Sequence, residues 1–300
     1  MELSAVAEVD ARSDEVTVLR PTSDGSGGYP VPVRSPTGLT LILPCYNEAE
    51  RLPTTLAVHL AALPQRPGEV EVLVVEDGSS DQTFAVATAI AGGDQRVRVI
   101  RTGSNRGKGA AVRTGVLAAK GELIVFTDAD GSYGPGAVAR VVAALTDAPV
   151  AIGSRAAGQA TGPLVRRLAS SLFNQAIRSL LGLPFRDTQC GLKGFHRQAA
   201  LEVFGRARLD GFAFDTEVLL LAWRLGLEVS EVHVRAEQRD GSTVRLVVDA
   251  LRMLRDVLLV RRRAMRGGHK GDGGACRKAA DGRVSAPLGD AKAGRAAQVG

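Results

Sequence analysis

Cysteine and aromatic residues are scarce in this chain. The three cysteines, Cys45, Cys190 and Cys276, are odd in number and form no C-x-x-C pair. This pattern excludes a disulfide framework and the usual zinc sites, and it favours a reducing compartment. Aromatic residues make up only 4% of the chain, whereas 45% of it is hydrophobic. We therefore expect a globular core built mainly from Val, Leu, Ala and Ile.

Signals for export and for membrane insertion are also missing. The first residues, MELSAVAEVDARSDE, are acidic where a signal peptide is basic, and they contain no apolar stretch. No apolar run approaches the ~20 residues that cross a bilayer. We expect a cytoplasmic protein without signal peptide or transmembrane helix, either soluble or peripheral on the cytoplasmic membrane. Its formal net charge of +6 favours phosphate-bearing partners such as nucleotides, nucleic acids or anionic membranes.

The patterned part of the chain lies between two low-complexity ends. Residues 1–38 include a stretch rich in Pro, Gly and Ser, and residues 266–300 are mostly small, polar and basic. Such compositions cannot bury enough apolar surface to fold, so we expect two disordered tails. A single domain is predicted over residues 39–265.

Between the tails, apolar runs typical of strands alternate with segments of helical spacing. The strand runs are LTLILP at 39–44, VEVLVVED at 70–77, VRVIRTG at 97–103, ELIVFTDAD at 122–130 and PVAIGSR at 149–155. Near-continuous apolar strands separated by helices predict an α/β fold with a mostly parallel, Rossmann-like central sheet and helices on both faces. Ligands of such sheets bind beyond the carboxyl ends of the strands, where this chain has PCYNE, EDGSSD and TDADG.

Two carboxylates one residue apart end the fourth of these runs. Asp128 and Asp130 close the segment IVFTDAD. One Asp would suffice to cap the next helix, whereas two neighbouring carboxylates repel each other unless a proton or a cation lies between them. Mg²⁺ takes few protein carboxylates and completes its shell with phosphate oxygens. We interpret the pair as a metal–diphosphate site in preference to a polar turn.

The first two strand ends carry candidates for binding a nucleoside. Asp77 ends the second run, where its carboxylate can accept the N–H of a pyrimidine ring or a ribose hydroxyl, while Asp81 fits an ordinary helix N-cap. Tyr46 and Glu48 follow the first run. The ring of Tyr46 suits either stacking on a base or a place on the rim of the site.

The glycine-rich segment GSNRGKGAAVRTG at 103–115 fits neither of two familiar phosphate-binding motifs. A P-loop requires glycine at the position of Thr102 and Ser or Thr at the position of Gly109. A dinucleotide fingerprint requires glycine at the position of Val112. Two interpretations remain open: a helix start whose free N–H groups and Lys108 face an anion, or a tight turn with close helix packing.

The second half of the chain is less regular. DTQCGLKGF at 187–195 is a loop-like segment of low specificity. Asp215 and Glu217 begin an apolar helical segment, where acids fit either capping of the helix dipole or contact with a substrate. Two basic apolar segments, 163–182 and 245–263, fit either core-packed helices with a solvated face or contact with a membrane surface.

Taken together and in this order, PCYNE, EDGSSD, NRGKGAAVRTG, DADG and DTQCGLKGF resemble the inverting family 2 glycosyltransferases of GT-A fold. Within that family the pattern is most similar to the polyprenyl-phosphate sugar synthases of the dolichyl-phosphate β-glucosyltransferase type. The resemblance spans about Thr40 to Arg263. It implies a nucleotide-sugar half at about 39–155 and an acceptor half at about 156–265.

The resemblance also implies roles for individual residues. The residues that would bind the nucleotide sugar are Pro44, Tyr46, Glu48, Val75, Asp77, Lys108, Asp128, Ala129 and Asp130. Asp128 and Asp130 would hold Mg²⁺ or Mn²⁺. The residues implied around the reacting groups, besides these two, are Asp187, Gln189, Arg155 and Arg166. The acceptor phosphate would be bound by Arg155, Arg166 and Arg245, although the family commonly has Lys where this chain has Thr243.

The reaction implied is metal-dependent transfer of a hexose to a polyprenyl or dolichyl phosphate at the cytoplasmic membrane face. The first expectation for the donor is UDP-glucose, with glucose as the hexose. The acceptor phosphate has a second pKa of about 6 and is largely ionised near neutral pH, so it needs no strong general base. One alternative is a family 2 enzyme that uses GDP-mannose or a saccharide hydroxyl, for which Asp187 or Asp215 would be the base. Another is a non-catalytic nucleotide-binding membrane adaptor. No nucleic acid partner is expected.

Overall fold

The computed structural model describes residues 8–11, 16–21, 38–64, 69–155, 174–175, 177–211, 213–236 and 255–256. The chain divides into two units, Met1–Gly267 and Gly268–Gly300, and all described residues lie in the first. Its strands are β1 Glu8–Ala11, β2 Val16–Arg20, β3 Leu39–Cys45, β4 Val70–Glu76, β5 Val97–Arg101, β6 Leu123–Phe126, β7 Val150–Arg155, β8 Lys193–His196 and β9 Val229–Val234. Its helices are α1 Leu52–Ala62, α2 Thr83–Gly93, α3 Lys108–Ala118, α4 Pro135–Ala144, α5 Arg197–Arg206 and α6 Phe214–Arg224.

The strands form one sheet in the order β1-β2-β9-β7-β8-β6-β3-β4-β5. Strands β6, β3, β4 and β5 are parallel neighbours, and β9 runs parallel to β7. Strand β8 lies antiparallel between β6 and β7. The predicted mostly parallel α/β sheet is confirmed, and β8 is an addition that arises from the segment interpreted as a loop.

The hydrophobic core has two layers, one on each face of the sheet. Successive strand residues point to opposite faces, so Val125 belongs to one buried cluster and Phe126 to the other. The few aromatic residues are concentrated on the second face. The Phe126 ring lies 6.3 Å from Phe195, 6.2 Å from Phe204 and 5.8 Å from Phe214, measured between ring centroids. This cluster fixes the start of α6 beside the end of β6.

The amino-terminal region differs from the expected tail. Strands β1 and β2 pair with each other, and β2 pairs antiparallel with β9. Val18 and Leu19 are buried, with 7% and 4% of their surface exposed. The expectation of disorder over 1–38 was wrong for β1 and β2, because the stability of a strand comes from packing against its neighbours, which a local pattern does not show.

Several predicted segments lie outside the described residues. They are the carboxyl-terminal tail at 266–300, nearly all of the basic segment at 245–263, and residues 163–173 of the other basic segment. Within the described ranges, no helix is long and apolar enough to span a bilayer. The division of the domain into halves at about residue 155 stays a prediction.

We expect Leu19→Ala to lower the free energy of unfolding by at least about 2 kcal/mol, because the side chain is buried in the core and its removal leaves a cavity. Thr17→Ala on the same strand should cost less than about 1 kcal/mol, because Thr17 is only half-buried. Urea denaturation followed by circular dichroism measures both. Equal effects of the two variants would contradict the packing of β2 into the core.

Candidate active site

The loops after β3 and β4 are joined to each other by side-chain hydrogen bonds. The backbone N–H of Asn47 donates to Ser79 Oγ at 3.0 Å, and Asn47 Oδ1 accepts the Ser80 N–H at 2.9 Å. Asn47 adopts a positive φ of 55°, which Asn tolerates better than most residues. Asp81 accepts the N–H groups of Thr83 at 2.9 Å and Ala49 at 3.1 Å. Asp81 therefore binds the start of α2, as predicted, and also the loop after β3.

Tyr46 and Glu48 belong to the loop after β3, one on each side of Asn47. Tyr46 is exposed, so both interpretations of its ring stay open. Glu48 is half-buried, and its carboxylate accepts Arg51 Nε at 2.7 Å. Burial raises the pKa of Glu48, and the charges of Asp130 and Asp128 raise it further, against the opposing effect of Arg51. The three acids therefore lie close enough for their charges to interact.

Asp77 organises the glycine-rich segment between β5 and α3. Its carboxylate accepts Thr102 Oγ1 at 2.8 Å and the N–H groups of Arg106 at 3.1 Å and Gly107 at 2.7 Å. Gly78 has φ +70°, and a Cβ there would lie 2.5 Å from the backbone nitrogen of Asn105. Asp77 thus positions this segment, and its predicted contact with a base stays a prediction.

The glycines of this segment serve close packing. The N–H of Gly109 donates to the Asp210 carbonyl at 2.8 Å. A Cβ at Gly109 would lie 2.7 Å from Phe214 Cβ, and one at Gly107 would lie 2.5 Å from the Asp210 carbonyl oxygen. The N–H groups of Arg106, Gly107 and Gly109 all have acceptors within the protein. The interpretation as free anion-binding N–H groups is wrong for these three, and the backbone N–H and the side chain of Lys108 stay candidates.

Four charged groups connect α3, α6, β8 and the end of β6. Lys193 and Asp215 are buried, whereas Lys108 and Asp128 are partly exposed. Lys108 Nζ lies 2.6 Å from Asp128 Oδ1 and 3.4 Å from Asp215 Oδ2. The fully buried Lys193 donates to Asp215 Oδ1 at 2.7 Å and to the Cys190 carbonyl at 2.5 Å. Two ammonium and two carboxylate groups balance, which buried charges require. Burial lowers the pKa of Lys108, but Asp128 and Asp215 outweigh it and the net pKa is raised.

Lys193 was missed by the sequence analysis. Its only signal in the sequence is a lysine in the short segment LKGF, most of which lies in the buried strand β8. Asp215 was left open between helix capping and contact with a substrate. Its two carboxylate oxygens each face one lysine, so it acts as the centre of this network.

Asp128 and Asp130 provide the oxygen donors expected of a site for Mg²⁺ or Mn²⁺. Burial raises the pKa of Asp128, and the charges of Asp215 and Asp130 add to that effect while Lys108 opposes it. Asp130 Oδ1 accepts the Ser132 N–H at 2.8 Å. Among the described residues, no group of three or more His, Cys, Asp or Glu could hold a metal. Two repelling carboxylates nevertheless fit a hard cation that completes its shell with phosphate oxygens.

Arg155 and Asp187 form a second ion pair, at the end of β7. Arg155 Nε and Nη2 lie 2.6 and 3.1 Å from the two oxygens of Asp187. Burial raises the pKa of Asp187, but the hydrogen bonds and charge of Arg155 outweigh it and the net pKa is lowered. The Gln189 N–H donates to Asp187 at 3.0 Å. Within the described part of the chain, Gln189 Nε2 is buried without a hydrogen-bond partner.

Glu231 of β9 supports this ion pair and was also missed. It accepts the N–H groups of Arg186 at 2.8 Å and Asp187 at 3.1 Å, and it is buried. Burial raises the pKa of Glu231. An acid inside the strand VSEVHV was the available signal. Glu231 fixes the backbone at Asp187 and thereby the direction of the Asp187 carboxylate.

Some predicted site residues lie apart from these groups. The side chains of Val75 and Ala129 are buried in the two core clusters. A contact of either residue with a nucleotide would therefore come from its backbone, and the roles predicted for them stay predictions. Pro44 is half-buried in β3. Arg166 and Arg245 lie outside the described residues.

Comparison with known proteins identifies the family. The family model described as glycosyl transferase family 2 matches residues 40–204. The chain is 36% identical over 271 residues to a dolichyl-phosphate beta-glucosyltransferase of Drosophila melanogaster, an alignment that covers 84% of this chain and 83% of the relative. It is 35% identical to the Homo sapiens protein of the same name, with 78% of each chain covered.

Solved structures show the same fold. Mannosyl-3-phosphoglycerate synthase from Rubrobacter xylanophilus superimposes with a TM-score of 0.58 at 19% identity, covering 78% of this chain and 77% of the other. Glucosyl-3-phosphoglycerate synthase from Mycobacterium tuberculosis, in complex with Mn²⁺, UDP and glucosyl-3-phosphoglycerate, gives a TM-score of 0.53 at 23% identity, covering 79% and 82%. The chain belongs to glycosyl transferase family 2 and is a glycosyltransferase with the GT-A fold.

Proposed function

We propose that this enzyme transfers glucose from UDP-glucose to a polyprenyl or dolichyl phosphate at the cytoplasmic face of a membrane. The names of the relatives, dolichyl-phosphate beta-glucosyltransferase, support the sugar and the acceptor. One structural observation carries the proposal. Both acids that could act as a base toward a hydroxyl acceptor are buried and held in ion pairs, so the site suits an acceptor that is already ionised.

The two candidate bases are unavailable for different reasons. Asp215 has one lysine on each of its oxygens. Asp187 faces the guanidinium of Arg155 with both oxygens, and its lowered pKa makes it a weak proton acceptor. A general base requires a free lone pair directed at the acceptor and a pKa near the working pH. Among the described residues gathered at the site there is no histidine to replace them.

A phosphate acceptor removes the need for a base. Its second pKa is about 6, so near neutral pH the attacking oxygen is already an anion. Arg155 directs Nε and Nη2 at Asp187. Its Nη1 group has no hydrogen-bond partner among the described residues, and we propose that it holds the acceptor phosphate. The side chain of Arg155 is 43% exposed, which permits such contact. Arg166 and Arg245 are proposed to complete the phosphate site, with Gln189 facing the sugar.

The donor would bind across the ends of β3, β4 and β6. Tyr46, Glu48 and Asp77 are proposed to hold the nucleoside, together with the backbone at Pro44, Val75 and Ala129. Asp128 and Asp130 would hold Mg²⁺ or Mn²⁺, which when bound stabilises the negative charge that develops on the departing diphosphate. The ammonium group of Lys108 would contribute to the same stabilisation. Attack on the sugar from the side opposite the diphosphate predicts inversion, from an α-linked donor to a β-linked lipid product.

The donor assignment rests on the relatives. Those with curated names transfer glucose, and a structural neighbour was crystallised with UDP and Mn²⁺. GDP-mannose as donor is the second candidate. The membrane assignment rests on the lipid acceptor and on the net charge of +6, since cationic surfaces are attracted to anionic lipid headgroups.

We expect purified protein with Mn²⁺ to move label from UDP-glucose, and not from GDP-mannose, into an extractable polyprenyl phosphate product. Asp130→Asn should lower the rate at least about a hundredfold, because it removes a carboxylate proposed to hold the cation that stabilises the departing diphosphate. Asp147→Asn, an exposed position before β7, is the matched control and should retain the wild-type rate. Nucleotide-sugar binding without transfer to lipid would contradict the proposed acceptor.

We expect kcat/KM for the lipid acceptor to rise with pH through about 6 and then to level off, following ionisation of the acceptor phosphate. Asp187 adds no further pH dependence in this range, because its lowered pKa keeps it ionised throughout. Initial rates between pH 5 and 8 measure the profile. Free polyprenol, which has a hydroxyl in place of the phosphate, should not be glycosylated, and transfer to it would contradict the proposal.

A further inference from the structure

The ammonium of Lys108 occupies the carboxylate to which the proposed function assigns a metal. Its Nζ lies 2.6 Å from Asp128 Oδ1. The side chain of Lys108 is only 15% exposed. The glycines on either side of it, Gly107 and Gly109, pack against the backbone at Asp210. This contact is therefore set by the fold and is not a chance pairing of long surface side chains.

The second oxygen of Asp128 lies against the backbone at Gly191. A Cβ atom built at Gly191 would overlap Asp128 Oδ2, so the backbone of the 187–192 segment packs directly against that oxygen. Oδ1 is the oxygen farther from Gly191, and a cation that binds there meets Lys108. Two positive charges cannot share one carboxylate oxygen at close range without strong repulsion.

Lys108 has an alternative partner that remains in place. Asp215 Oδ2 lies 3.4 Å from its Nζ, while Asp215 Oδ1 is held at 2.7 Å by the fully buried Lys193. Lys193 is itself fixed by the Cys190 carbonyl at 2.5 Å. If Lys108 moves away from Asp128, Asp215 keeps a negative charge beside it and holds it near the site. Lys193 and Asp215 are thus positioning residues for Lys108.

We propose that Lys108 and the divalent cation are alternative partners of Asp128 Oδ1, so that the cation binds tightly only together with a diphosphate that draws Lys108 away. In the empty enzyme Lys108 neutralises Asp128. When a nucleoside diphosphate enters, its oxygens provide a new partner for the ammonium, and the oxygen of Asp128 becomes available to the cation. This inference rests on the proposed function, because it takes a nucleoside diphosphate as the group that displaces Lys108.

Binding of Mn²⁺, followed by the electron paramagnetic resonance signal of the free ion, tests the proposal without measuring activity. The full chain is titrated alone and in the presence of saturating UDP. The variants are Lys108→Met and, as a control that removes one positive charge from the same segment without contact to Asp128, Arg106→Met. Circular dichroism confirms folding, and Lys108→Gln replaces the methionine variant if that one does not fold.

In the wild type, UDP should tighten Mn²⁺ binding about tenfold, a common size for coupling between two ligands. Lys108→Met should bind Mn²⁺ alone about tenfold more tightly than the wild type, and UDP should then add less. Arg106→Met should behave as the wild type. The proposal is overturned if Lys108→Met binds Mn²⁺ alone no better than the wild type, or if Arg106→Met gains as much.

The same titrations separate this inference from the proposed function. If neither UDP nor GDP binds to the wild type in the presence of Mn²⁺, the proposed donor is wrong. The comparison of Mn²⁺ binding alone, between wild type and Lys108→Met, still decides whether Lys108 occupies the cation's oxygen. If nucleotide and cation bind but the Lys108 variant leaves Mn²⁺ affinity unchanged, only the inference fails.

Discussion

The compensation of buried charge is the constraint on which the site depends. Lys193 and Asp215 are almost fully buried, so either charge without its partner would lower the stability of the fold. Removing one member of such a pair costs about 3–5 kcal/mol, because the other charge is left uncompensated. The pair connects β8 to α6, and through Lys108 and Asp128 it extends to α3 and to the end of β6. The positions of four elements are thereby tied to one balanced set of charges.

The same constraint shapes the chemistry. Buried acids that are neutralised by a lysine or an arginine are poor acceptors of a substrate proton, and this applies to Asp215 and to Asp187. The site instead provides positive groups in two places, Lys108 near the carboxylate pair and Arg155 at the end of β7. Cationic groups located where negative charge develops stabilise it in the transition state. Such a site is suited to a reaction in which both the attacking and the departing groups are phosphates.

The sequence predicted the parts of the fold that follow from local patterns. Strands β3 to β7 were found because parallel strands covered on both faces are continuously apolar. Strands β1, β2, β8 and β9 were missed, because EVDA, VTVLR, KGFH and VSEVHV are short and only pairing with their neighbours makes them strands. The acids at the strand ends were found as a group, because the carboxyl ends of parallel strands lie at the same edge of the sheet. Lys193 and Glu231 were not, because a single charged residue in a strand gives no signal until its partner is known.

The glycine-rich segment shows why a motif can point to the right place for the wrong reason. Gly107 and Gly109 resemble the glycines of phosphate loops, yet the nearest atoms to both are those of the 209–214 segment. A Cβ at either position would push the start of α3 away from that segment. Lys108 lies between the two glycines, so the same displacement would separate its ammonium from Asp128. The spacing Gly-Lys-Gly therefore determines where one positive charge lies, and the absence of a phosphate-loop pattern is consistent with that role.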